Sequence, residues 1–452
     1  MNAIADSQSF LQAALLTRLS DRTARVGVIG LGYVGLPLAR ALVLKAGFPV
    51  LGFDTDPAKV ERLNGGGSYI AHVSPDTVGA MREGERFSAT ADFARLNECD
   101  VVVICVPTPL TPQREPDLSY VTDTARAIAR NGRPGQLVVL ESTTYPGTTR
   151  DILAPLFREH DYRIDETLFL AFSPEREDPG NLQFETTTIP KIVGAEGPRG
   201  LELAAAFYRS VVAEVVPVSS SAVAEAVKIT ENIFRSVNIA LVNELKVIFS
   251  AMDIDVWEVI EGAKTKPFGF MPFYPGPGLG GHCIPIDPFY LTWKAREYET
   301  PTRFIELAGE VNTAMPAYVV ERLARTLDAR FGRGLRDARI LVLGVAYKKN
   351  VDDSRESPGL RLIELLEARG ARVDYHDPHI PALPRTRRHP GLAGRPSVAP
   401  EPGFAGPYDA ALVVTDHDGV DYADVVRACP LVVDTRNVCA RLGLDAPNVV
   451  KA

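Results

Sequence analysis

The chain has 452 residues, of which 46% are hydrophobic and 23% charged, and its formal net charge is −8. This balance is typical of an ordinary globular protein, and the length suits two to three domains of about 150 residues each. The acidic surplus argues against general binding to nucleic acid or to an anionic membrane, because both need a basic surface, but it allows a small anionic ligand at a focused basic site.

The cysteines and the N-terminal segment bear on where the protein works. Five cysteines occur, an odd number without the spacing of metal ligands, which favours a reducing compartment over a disulfide framework. No run approaches the about 20 apolar residues of a membrane span. Residues 1–20 predict a short amphipathic helix, an N-terminal extension that lacks the basic leader of a signal peptide. We therefore expect a cytoplasmic protein without a membrane partner.

From about residue 21 to residue 217, short apolar runs alternate with helical segments. The predicted strands include ARVGVIGLG, FPVLGFDTD, VVVICVPTP and QLVVLESTTYP. Continuous β-branched runs separated by helices are typical of a parallel sheet with helices on both faces. This region is therefore predicted to be a Rossmann-like, doubly wound domain.

A glycine-rich turn follows the first predicted strand and opens a helix. Gly30, Gly32 and Gly35 form a GxGxxG pattern that allows a tight turn, a close approach to a pyrophosphate and close helix–strand packing. Asp54 lies nineteen residues after Gly35, where a carboxylate accepts hydrogen bonds from both ribose hydroxyls and repels a 2′-phosphate. The pattern predicts NAD, rather than NADP, as the cofactor. The alternative is a glycine-rich turn without a ligand.

Between about residues 218 and 330 the strand signals fade, and apolar residues recur at helical spacing over roughly 30 positions. A helix of that length offers a face for a homodimer. Lys228, Asn232 and Arg235 fall on one side of it, and an otherwise apolar helix has little reason to keep three such groups together unless they face a site. The alternative is a solvated face.

A Gly/Pro-rich loop interrupts this helical region and contains Gly280, His282 and Cys283. A cysteine after paired glycines lies on backbone that approaches a substrate closely, so Gly280 is a candidate substrate contact and Cys283 a candidate nucleophile. Asp287, four residues further, is a candidate partner, whereas His282 is expected to point away from the thiol. The other cysteines are interpreted as structural: Cys99, Cys105, Cys429 and Cys439.

From about residue 331 the strand–helix alternation resumes. Its apolar runs are ARILVLGVAYK, ARVDYHDP, DAALVVTDH and PLVVDTRN. They predict a second Rossmann-like domain over residues 331–452, with residues 381–407 as a long surface loop. His376 and His379 lack further ligands at suitable spacing, so no metal site is expected. The predicted fold class is α/β, with two Rossmann-like doubly wound domains joined by a long central helix and a helical dimerisation region.

Taken together, the motifs resemble the UDP-glucose/GDP-mannose dehydrogenase family. They occur in the order of that family between about residues 25 and 440: GLGYVGLP, VPTP, ESTTYPG, SPE, KITENIFR, PGPGLGGHCIPIDPFYL, GVAYKKNVDDSRESP and VVDTRN. The form GGHCIPIDP differs from the GGSCFxKD typical of UDP-glucose enzymes and resembles the branch acting on UDP-N-acetylhexosamines. The longer strings look most like UDP-N-acetylglucosamine 6-dehydrogenases of polysaccharide biosynthesis.

The resemblance implies catalytic roles residue by residue. It makes Cys283 the nucleophile, with Lys228 and Asn232 as the pair that stabilises oxyanions. It makes Asp287 the residue that positions or activates water, and Glu175 a carboxylate for acid–base work and thioester hydrolysis.

The resemblance also implies binding residues. Thr144 would hold a catalytic water, and Arg235, without a certain counterpart, is predicted to contact the acetamido side of the substrate. The implied NAD contacts are Gly30, Gly32, Gly35, Asp54, Thr108, Thr144 and Arg355. The substrate contacts are Lys228, Arg235, Gly280, Lys348 near the diphosphate, and Arg436 nearby.

The implied reaction is the four-electron oxidation of the C6 alcohol of UDP-N-acetylglucosamine to the uronic acid, through a thiohemiacetal and a thioester on Cys283, for O-antigen lipopolysaccharide or capsule-type polysaccharides. The nearest alternative is the same reaction on UDP-N-acetylmannosamine, UDP-N-acetylgalactosamine or UDP-glucose. A two-electron hydroxy-acid dehydrogenase would have no use for Cys283, and a non-catalytic nucleotide-sugar-binding protein would not need the reactive set. The family further implies a homodimer or higher homo-oligomer.

Overall fold

The computed structural model describes residues 2–70, 73–111, 113, 115–176, 188–281, 283–398 and 408–452, with residues 2–9 as backbone. The chain divides into two compact units. The first comprises Met1–Glu231 and Phe289–Thr300, and the second Asn232–Pro288 and Pro301–Ala452. Within the described ranges, no helix is both long and apolar enough to cross a membrane.

A large sheet forms the centre of the first unit. Its strands are β1 Val26–Ile29, β2 Val50–Phe53, β3 Phe87–Thr90, β4 Val101–Ile104, β5 Gln136–Leu140, β6 Leu168–Phe172, β7 Lys191–Ala195 and β8 Val215–Pro217. They lie in the order β3-β2-β1-β4-β5-β6-β7-β8. The first six follow the 3-2-1-4-5-6 order of a nucleotide-binding Rossmann sheet and pair in parallel, as predicted.

Strand β7 departs from the predicted parallel arrangement. It pairs antiparallel to β6, with Ala171 opposite Ala195, whereas β8 returns to parallel pairing with β7. The described residues between β6 and β7 form no helix. An antiparallel strand near the edge of an otherwise parallel sheet is common.

Helices pack around this sheet. The helix that begins at Pro57 is capped by Asp56, whose side chain accepts a hydrogen bond from the N–H of Ala58. The N-terminal helix predicted for residues 1–20 is present, and its Leu15 and Leu19 are buried in the core of the unit. The helices span Asn2–Ser20, Gly35–Arg40, Pro57–Asn64, Pro75–Arg82, Ser119–Asn131, Ala154–Arg158 and Pro198–Arg209, with π-helical turns at Ala41–Lys45 and Thr149–Leu153.

The long central helix spans Ser221–Ala251, 31 residues. The boundary between the two units falls within it, after Glu231. Further helices span Val256–Lys264, Asp287–Ala295 and Arg303–Phe331. The central helix exposes apolar side chains at intervals of seven residues, namely Phe234, Leu241 and Ile248. Such a stripe is what a homodimer face needs, and the homodimer stays a prediction.

A smaller sheet forms the centre of the second unit. Its strands are β9 Arg339–Leu343, β10 Arg372–His376, β11 Ala410–Val413, β12 Val432–Asp434 and β13 Val449–Lys451. They are all parallel, in the order β10-β9-β11-β12-β13. Helices span Pro358–Ala368, Tyr422–Ala428 and Val438–Arg441. The predicted fold class, two Rossmann-like domains and a long central helix, is confirmed.

The predicted surface loop 381–407 is described as far as residue 398. This part does more than cross the surface, because Leu383 and Leu392 are 3% and 5% exposed and belong to the core of the second unit. A hydrogen bond from the N–H of Gly394 to the carbonyl of Leu383 closes the turn between them. Residues 399–407 of the prediction lie outside the described residues.

Candidate active site

The first part of the candidate site lies where the strand order of the large sheet reverses. Strands β1 and β4 are neighbours, and their connections leave toward opposite sides of the sheet. Dinucleotides bind in the crevice at the carboxyl ends of such strands. The glycine turn follows β1, and Thr108 lies in the loop after β4, where its carbonyl accepts a hydrogen bond from the hydroxyl of Tyr290. The structure therefore brings these predicted cofactor contacts to one edge of the sheet.

The three glycines of the turn are required for different reasons. Gly30 has φ of +91°, and a Cβ there would lie 2.6 Å from the carbonyl oxygen of Cys105. A Cβ on Gly35 would lie 2.0 Å from the carbonyl oxygen of Gly30. Around Gly32, by contrast, no described heavy atom lies within 4 Å of the Cβ position, so only a ligand would meet a side chain there. This is the cradle that a pyrophosphate fits.

Asp54 follows β2 and is only 8% exposed. Its carboxylate accepts hydrogen bonds from the N–H of Leu31 at 3.1 Å and of Asp56 at 3.0 Å, and it pairs with Lys59 at 3.4 Å. These bonds fix the carboxylate against the glycine turn. A carboxylate held there accepts hydrogen bonds from a ribose diol and repels a 2′-phosphate.

We expect Asp54→Ala to raise the KM for NAD about 10- to 100-fold, since a hydrogen bond to a charged group contributes about 1.5–3 kcal/mol. The ratio of kcat/KM for NAD to that for NADP should fall, because the 2′-phosphate of NADP is then no longer repelled by Asp54 and can pair with Lys59. The measurement is kcat/KM for both cofactors. Asp54→Asn keeps an acceptor for the N–H of Leu31, so it separates the loss of charge from the loss of the hydrogen bond that holds the turn. The control Lys59→Ala keeps the carboxylate and should keep the preference for NAD. An unchanged KM in Asp54→Ala would contradict this assignment.

Three predicted catalytic residues belong to the first unit. Lys228 of the central helix is 7% exposed, and its ammonium donates a hydrogen bond to the backbone carbonyl of Glu175. Thr144 is fully buried, and its hydroxyl has no partner among the described residues. The structure therefore joins Lys228 to Glu175. It leaves the hydroxyl of Thr144 available for a bound water or substrate, as the predicted role requires.

A cluster of buried charges adjoins Glu175. Lys191, at the start of β7, lies 3.1 Å from a carboxylate oxygen of Glu141 and 3.7 Å from one of Glu175. Lys191 and Glu141 are 3% and 1% exposed, and the hydroxyl of Tyr208 donates to Glu141. The contact of Lys191 with Glu141 is an ion pair whose geometry is not that of a hydrogen bond.

Burial and charge set the protonation of this cluster. Burial raises the pKa of Glu141, an effect that Lys191 opposes and Glu175 reinforces. Burial works against the charge of Lys191, but Glu141 and Glu175 raise its pKa overall. We therefore assign one buried ammonium shared by two carboxylates. Sequence reasoning missed Glu141 and Lys191; a lysine inside the apolar run KIVGA was the available signal.

The second unit holds the candidate nucleophile. The carbonyl of Cys283 accepts hydrogen bonds from the N–H of Ile286 at 3.1 Å and of Asp287 at 2.8 Å, so the cysteine begins the turn that leads into helix Asp287–Ala295. Asn232 is fully buried and donates from its side-chain amide to the carboxylate of Asp287 at 2.5 Å. Arg235 donates in turn to the side-chain carbonyl of Asn232. A chain of hydrogen bonds therefore joins the turn that begins at Cys283 to the side chains of Asp287, Asn232 and Arg235.

The burial of the polar helix residues decides between two interpretations of the sequence. Lys228 and Asn232 are 7% and 0% exposed, so they do not form the solvated face that was the alternative. Charged and amide groups are rarely buried without partners, and both of these side chains donate hydrogen bonds.

The loop that carries the cysteine is tied to the central helix at a second place. The N–H of Gly276 donates to the side-chain carbonyl of Asn243 at 3.0 Å, and the amide of Asn243 donates to Asn312 at 3.0 Å. A Cβ on Gly280 would lie 2.9 Å from Cβ of Tyr347, so packing alone already requires glycine there. His282 lies outside the described residues.

The predicted substrate groups of the second unit lie at the carboxyl edge of the smaller sheet. Lys348 follows β9 and Arg436 follows β12, and both are half-buried. Arg436 donates from Nε to the carbonyl of Val414 at 2.8 Å. Arg355, predicted to contact NAD, is exposed and paired with Asp353 at 2.7 Å in the same unit.

The remaining cysteines have the surroundings of unreactive thiols. Burial raises the pKa of Cys99 to about 12, of Cys439 to about 12 and of Cys429 to about 11, and that of Cys105 well above its usual range. Thiols that stay protonated are poor nucleophiles. Within the described part of the chain, no group of three or more His, Cys, Asp or Glu side chains is placed to hold a metal ion.

Comparison with known proteins assigns the chain. The NAD binding domain, central domain and UDP binding domain of the UDP-glucose/GDP-mannose dehydrogenase family match residues 24–212, 222–314 and 341–441. The chain belongs to this family. It is an NAD-dependent UDP-sugar dehydrogenase, and the glycine turn, Asp54 and the β1–β4 crevice are the elements that fit NAD.

Individual relatives match along most of their length. A UDP-N-acetyl-D-glucosamine 6-dehydrogenase of Pseudomonas aeruginosa is 34% identical over 87% of this chain and 90% of that protein. A UDP-N-acetyl-D-mannosamine dehydrogenase of Methanococcus maripaludis is 32% identical over 92% of this chain and 93% of its own. The structure of a UDP-D-ManNAc dehydrogenase from Pyrococcus horikoshii has a TM-score of 0.81 at 31% identity, covering 91% of this chain and 95% of that one.

Proposed function

We propose that this dehydrogenase oxidises the C6 alcohol of UDP-N-acetylglucosamine twice, to the uronic acid, with Cys283 as covalent nucleophile, in the biosynthesis of O-antigen or capsule-type polysaccharides. The observation that carries the proposal is the assembly around the cysteine turn, in which buried Asn232 bonds to Asp287 and Asp287 bonds back to the carbonyl of Cys283. A dehydrogenase that stops at the carbonyl has no use for a nucleophilic cysteine in a turn tied to such a buried amide and carboxylate.

In the first oxidation the C6 hydroxyl must lose a proton as a hydride leaves. NAD, when bound, would accept this hydride, and a second NAD that replaces the first NADH would accept the later one. Glu175, which is half-buried and lies 3.7 Å from the ammonium of Lys191, is the base that we assign. Lys228 presents an ammonium to the developing alkoxide, a role in which loss of one donor costs about 10²–10³ in rate.

In the second oxidation the thiol of Cys283 adds to the aldehyde carbon, and the thiol proton passes to a base while the oxygen becomes an oxyanion. Asn232 has a second amide N–H beyond the one that it gives to Asp287, and this N–H is the donor that we assign to the oxyanion. Loss of the second hydride converts the thiohemiacetal into a thioester. Covalent attachment keeps the reactive aldehyde from escaping.

Hydrolysis completes the reaction. Water attacks the thioester carbon, the carbon–sulfur bond breaks, and the thiol of Cys283 is regenerated beside the new carboxylate. Asp287 is 3% exposed and fixed by Asn232. A carboxylate held in this way is suited to orient the attacking water and accept its proton. Thr144, whose hydroxyl is buried, is the second residue that we assign to holding a bound water.

The choice of N-acetylglucosamine rests on the motif GGHCIPIDP and the longer strings around it. The relatives named for N-acetylglucosamine and N-acetylmannosamine have similar identities, 34% and 32%, so identity alone does not separate the epimers. Arg235, which bonds to Asn232 and is half-buried, is the residue that we assign to the acetamido side. The alternative is the same reaction on UDP-N-acetylmannosamine, UDP-N-acetylgalactosamine or UDP-glucose.

The test is the NADH yield per mole of sugar, measured in parallel with the four UDP-sugars under limiting sugar. We expect two NADH per UDP-N-acetylglucosamine and a higher kcat/KM for it than for the other three. If another sugar gives two NADH with higher kcat/KM, the mechanism stands and the substrate assignment is wrong. A yield of one NADH with the best sugar contradicts the thioester route, and no NADH from any of them contradicts the proposed function.

A further inference from the structure

A lysine that the proposed reaction does not use is buried in the second unit. Lys246, on the central helix, is 4% exposed, and its ammonium nitrogen has no hydrogen-bond partner among the described residues. Its neighbour from the helix Arg303–Phe331 is the ring of Tyr318, whose centroid lies 5.5 Å from the nitrogen. A cation–π contact of this kind offsets only a small part of the cost of burying an ammonium without hydrogen bonds.

The charges around Lys246 are unfavourable to it. Burial, and then the positive charge of Arg436, lower the pKa of Lys246 to about 7, and Asp434 acts in the opposite direction. The carboxylate of Asp434 is already occupied, because it accepts the N–H of Arg436 and the N–H of Cys439. The described surroundings therefore place two cationic side chains near each other without a carboxylate free to pair with Lys246.

Arg436, one of these two cations, lies against the loop that contains Gly276 and Cys283, which we call the cysteine loop. A Cβ on Gly276 would lie 2.8 Å from a guanidinium nitrogen of Arg436, so the loop passes directly over the guanidinium. Arg436 stays half-buried and follows β12 at the carboxyl edge of the sheet. Ligands of doubly wound sheets bind at that edge. An anion bound against Arg436 would add negative charge near Lys246, which has no hydrogen-bonded carboxylate among the described residues.

We propose that Lys246 is a second cation of the nucleotide site, which takes up a proton when the phosphate groups of the UDP-sugar bind beside Arg436. This inference rests on the proposed UDP-sugar substrate. It adds Lys246 to the predicted substrate residues, as a group that acts on the phosphates through its charge. Without nucleotide, Lys246 is largely neutral at pH 8, which avoids a buried charge next to Arg436. With phosphate nearby the ammonium form is favoured, and nucleotide binding becomes linked to protonation.

The direction of the pH effect follows from this linkage. A group whose pKa rises on binding takes up a proton between its free and bound values, so affinity is lost as pH rises through that interval. Well below pH 7, where Lys246 is mostly protonated without nucleotide, its contribution is constant. Between pH 7.5 and 8.5 we expect the Kd for UDP to rise several-fold, up to about tenfold per pH unit.

The experiment is calorimetry of UDP binding to the whole protein at pH 8, in buffers of different ionisation enthalpy, which reports protons taken up per site. At this pH the phosphates of UDP, whose last pKa is about 6, are fully ionised and contribute no proton. We expect uptake of most of one proton by the unaltered protein. Uridine, which lacks phosphate, should bind without uptake if it binds at all.

Two variants identify the group that takes up the proton. Lys246→Met removes it and should abolish the uptake and weaken UDP binding. Lys246→Arg keeps a permanent charge and should abolish the uptake while keeping the Kd for UDP within about twofold from pH 7.5 to 8.5, since arginine does not titrate there. If the methionine variant fails to fold, the arginine variant still decides.

The outcomes are distinct. UDP binding without proton uptake, or with the same uptake in Lys246→Arg, overturns the role of Lys246 and leaves the proposed function intact. Absence of UDP binding overturns both. Equal uptake with uridine shows that the phosphates are not the linked anion and also overturns the proposal.

Discussion

Cys283→Ala should leave an enzyme that produces at most one NADH per sugar, with steady-state turnover reduced by at least about a thousandfold. Without the thiol no covalent adduct forms, so the second hydride has no thiohemiacetal to leave from. Loss of a catalytic nucleophile typically removes most of the rate enhancement that the active site provides. The measurement is NADH formation under single turnover, together with the mass of the intact protein quenched during turnover.

The mass measurement makes this prediction specific. The unaltered protein should carry one sugar nucleotide in covalent linkage during turnover, and Cys283→Ala should carry none. Cys283→Ser should accumulate the adduct, because a serine ester is hydrolysed more slowly than a thioester. The matched control is Cys429→Ala, since Cys429 is 3% exposed in the core and its thiol has a raised pKa. Full two-NADH turnover by the Cys283→Ala variant would refute the covalent route.

Lys191→Met should lower the free energy of unfolding by about 3–5 kcal/mol at neutral pH, the usual cost of removing one partner of a buried ion pair. It leaves Glu141 and Glu175 without the ammonium that they share. The same change should lower kcat by about 10²-fold or more, because Glu175, the base that we assign, then loses the ammonium 3.7 Å away that fixes its carboxylate.

The pH dependence of this loss has a definite sign. Burial already raises the pKa of Glu141, and the loss of Lys191 raises it further. A carboxyl whose folded pKa lies above its unfolded value stabilises the fold below that pKa, and this stability is lost as pH rises through it. The decrease in the free energy of unfolding caused by Lys191→Met should therefore be larger at pH 8 than at pH 6, as measured by urea unfolding.

Two further variants test whether the deficit comes from the uncompensated carboxylate. Lys191→Met combined with Glu141→Gln should regain much of the lost stability, since a neutral amide replaces the buried charge. Lys264→Met removes a lysine that is paired with Glu261 but 49% exposed, and should leave unfolding unchanged. If the double variant is as unstable as Lys191→Met, the buried ion pair is not the cause.

The sequence was sufficient for those features whose residues are close together along the chain. The glycine turn and Asp54 could be predicted because a strand, a turn and a helix of one βαβ unit place them within 25 residues. The fold class followed from continuous apolar runs. The antiparallel β7 was missed, since a buried apolar run does not show the direction of its strand.

Pairings between distant residues could not be predicted from the pattern. Glu141 and Lys191 are 50 positions apart and meet only because β5, β6 and β7 are adjacent in the sheet. Lys246 was identified because its buried ammonium has no hydrogen-bond partner among the described residues, and a sequence does not show this. The catalytic roles came from the resemblance to the family, and they stay predictions that the experiments above address. The domain boundaries also stay predictions.

The cysteine loop is fastened to a single helix at both of its ends. Asn243 holds the N–H of Gly276, and Asn232, eleven residues earlier on the same helix, holds the carboxylate of Asp287. The two anchors therefore fix both ends of the stretch between them, within which packing keeps Gly280 a glycine and the proposed chemistry keeps Cys283 a cysteine. Substitutions at the other positions of that stretch would let a lineage alter its sugar preference without rebuilding the scaffold.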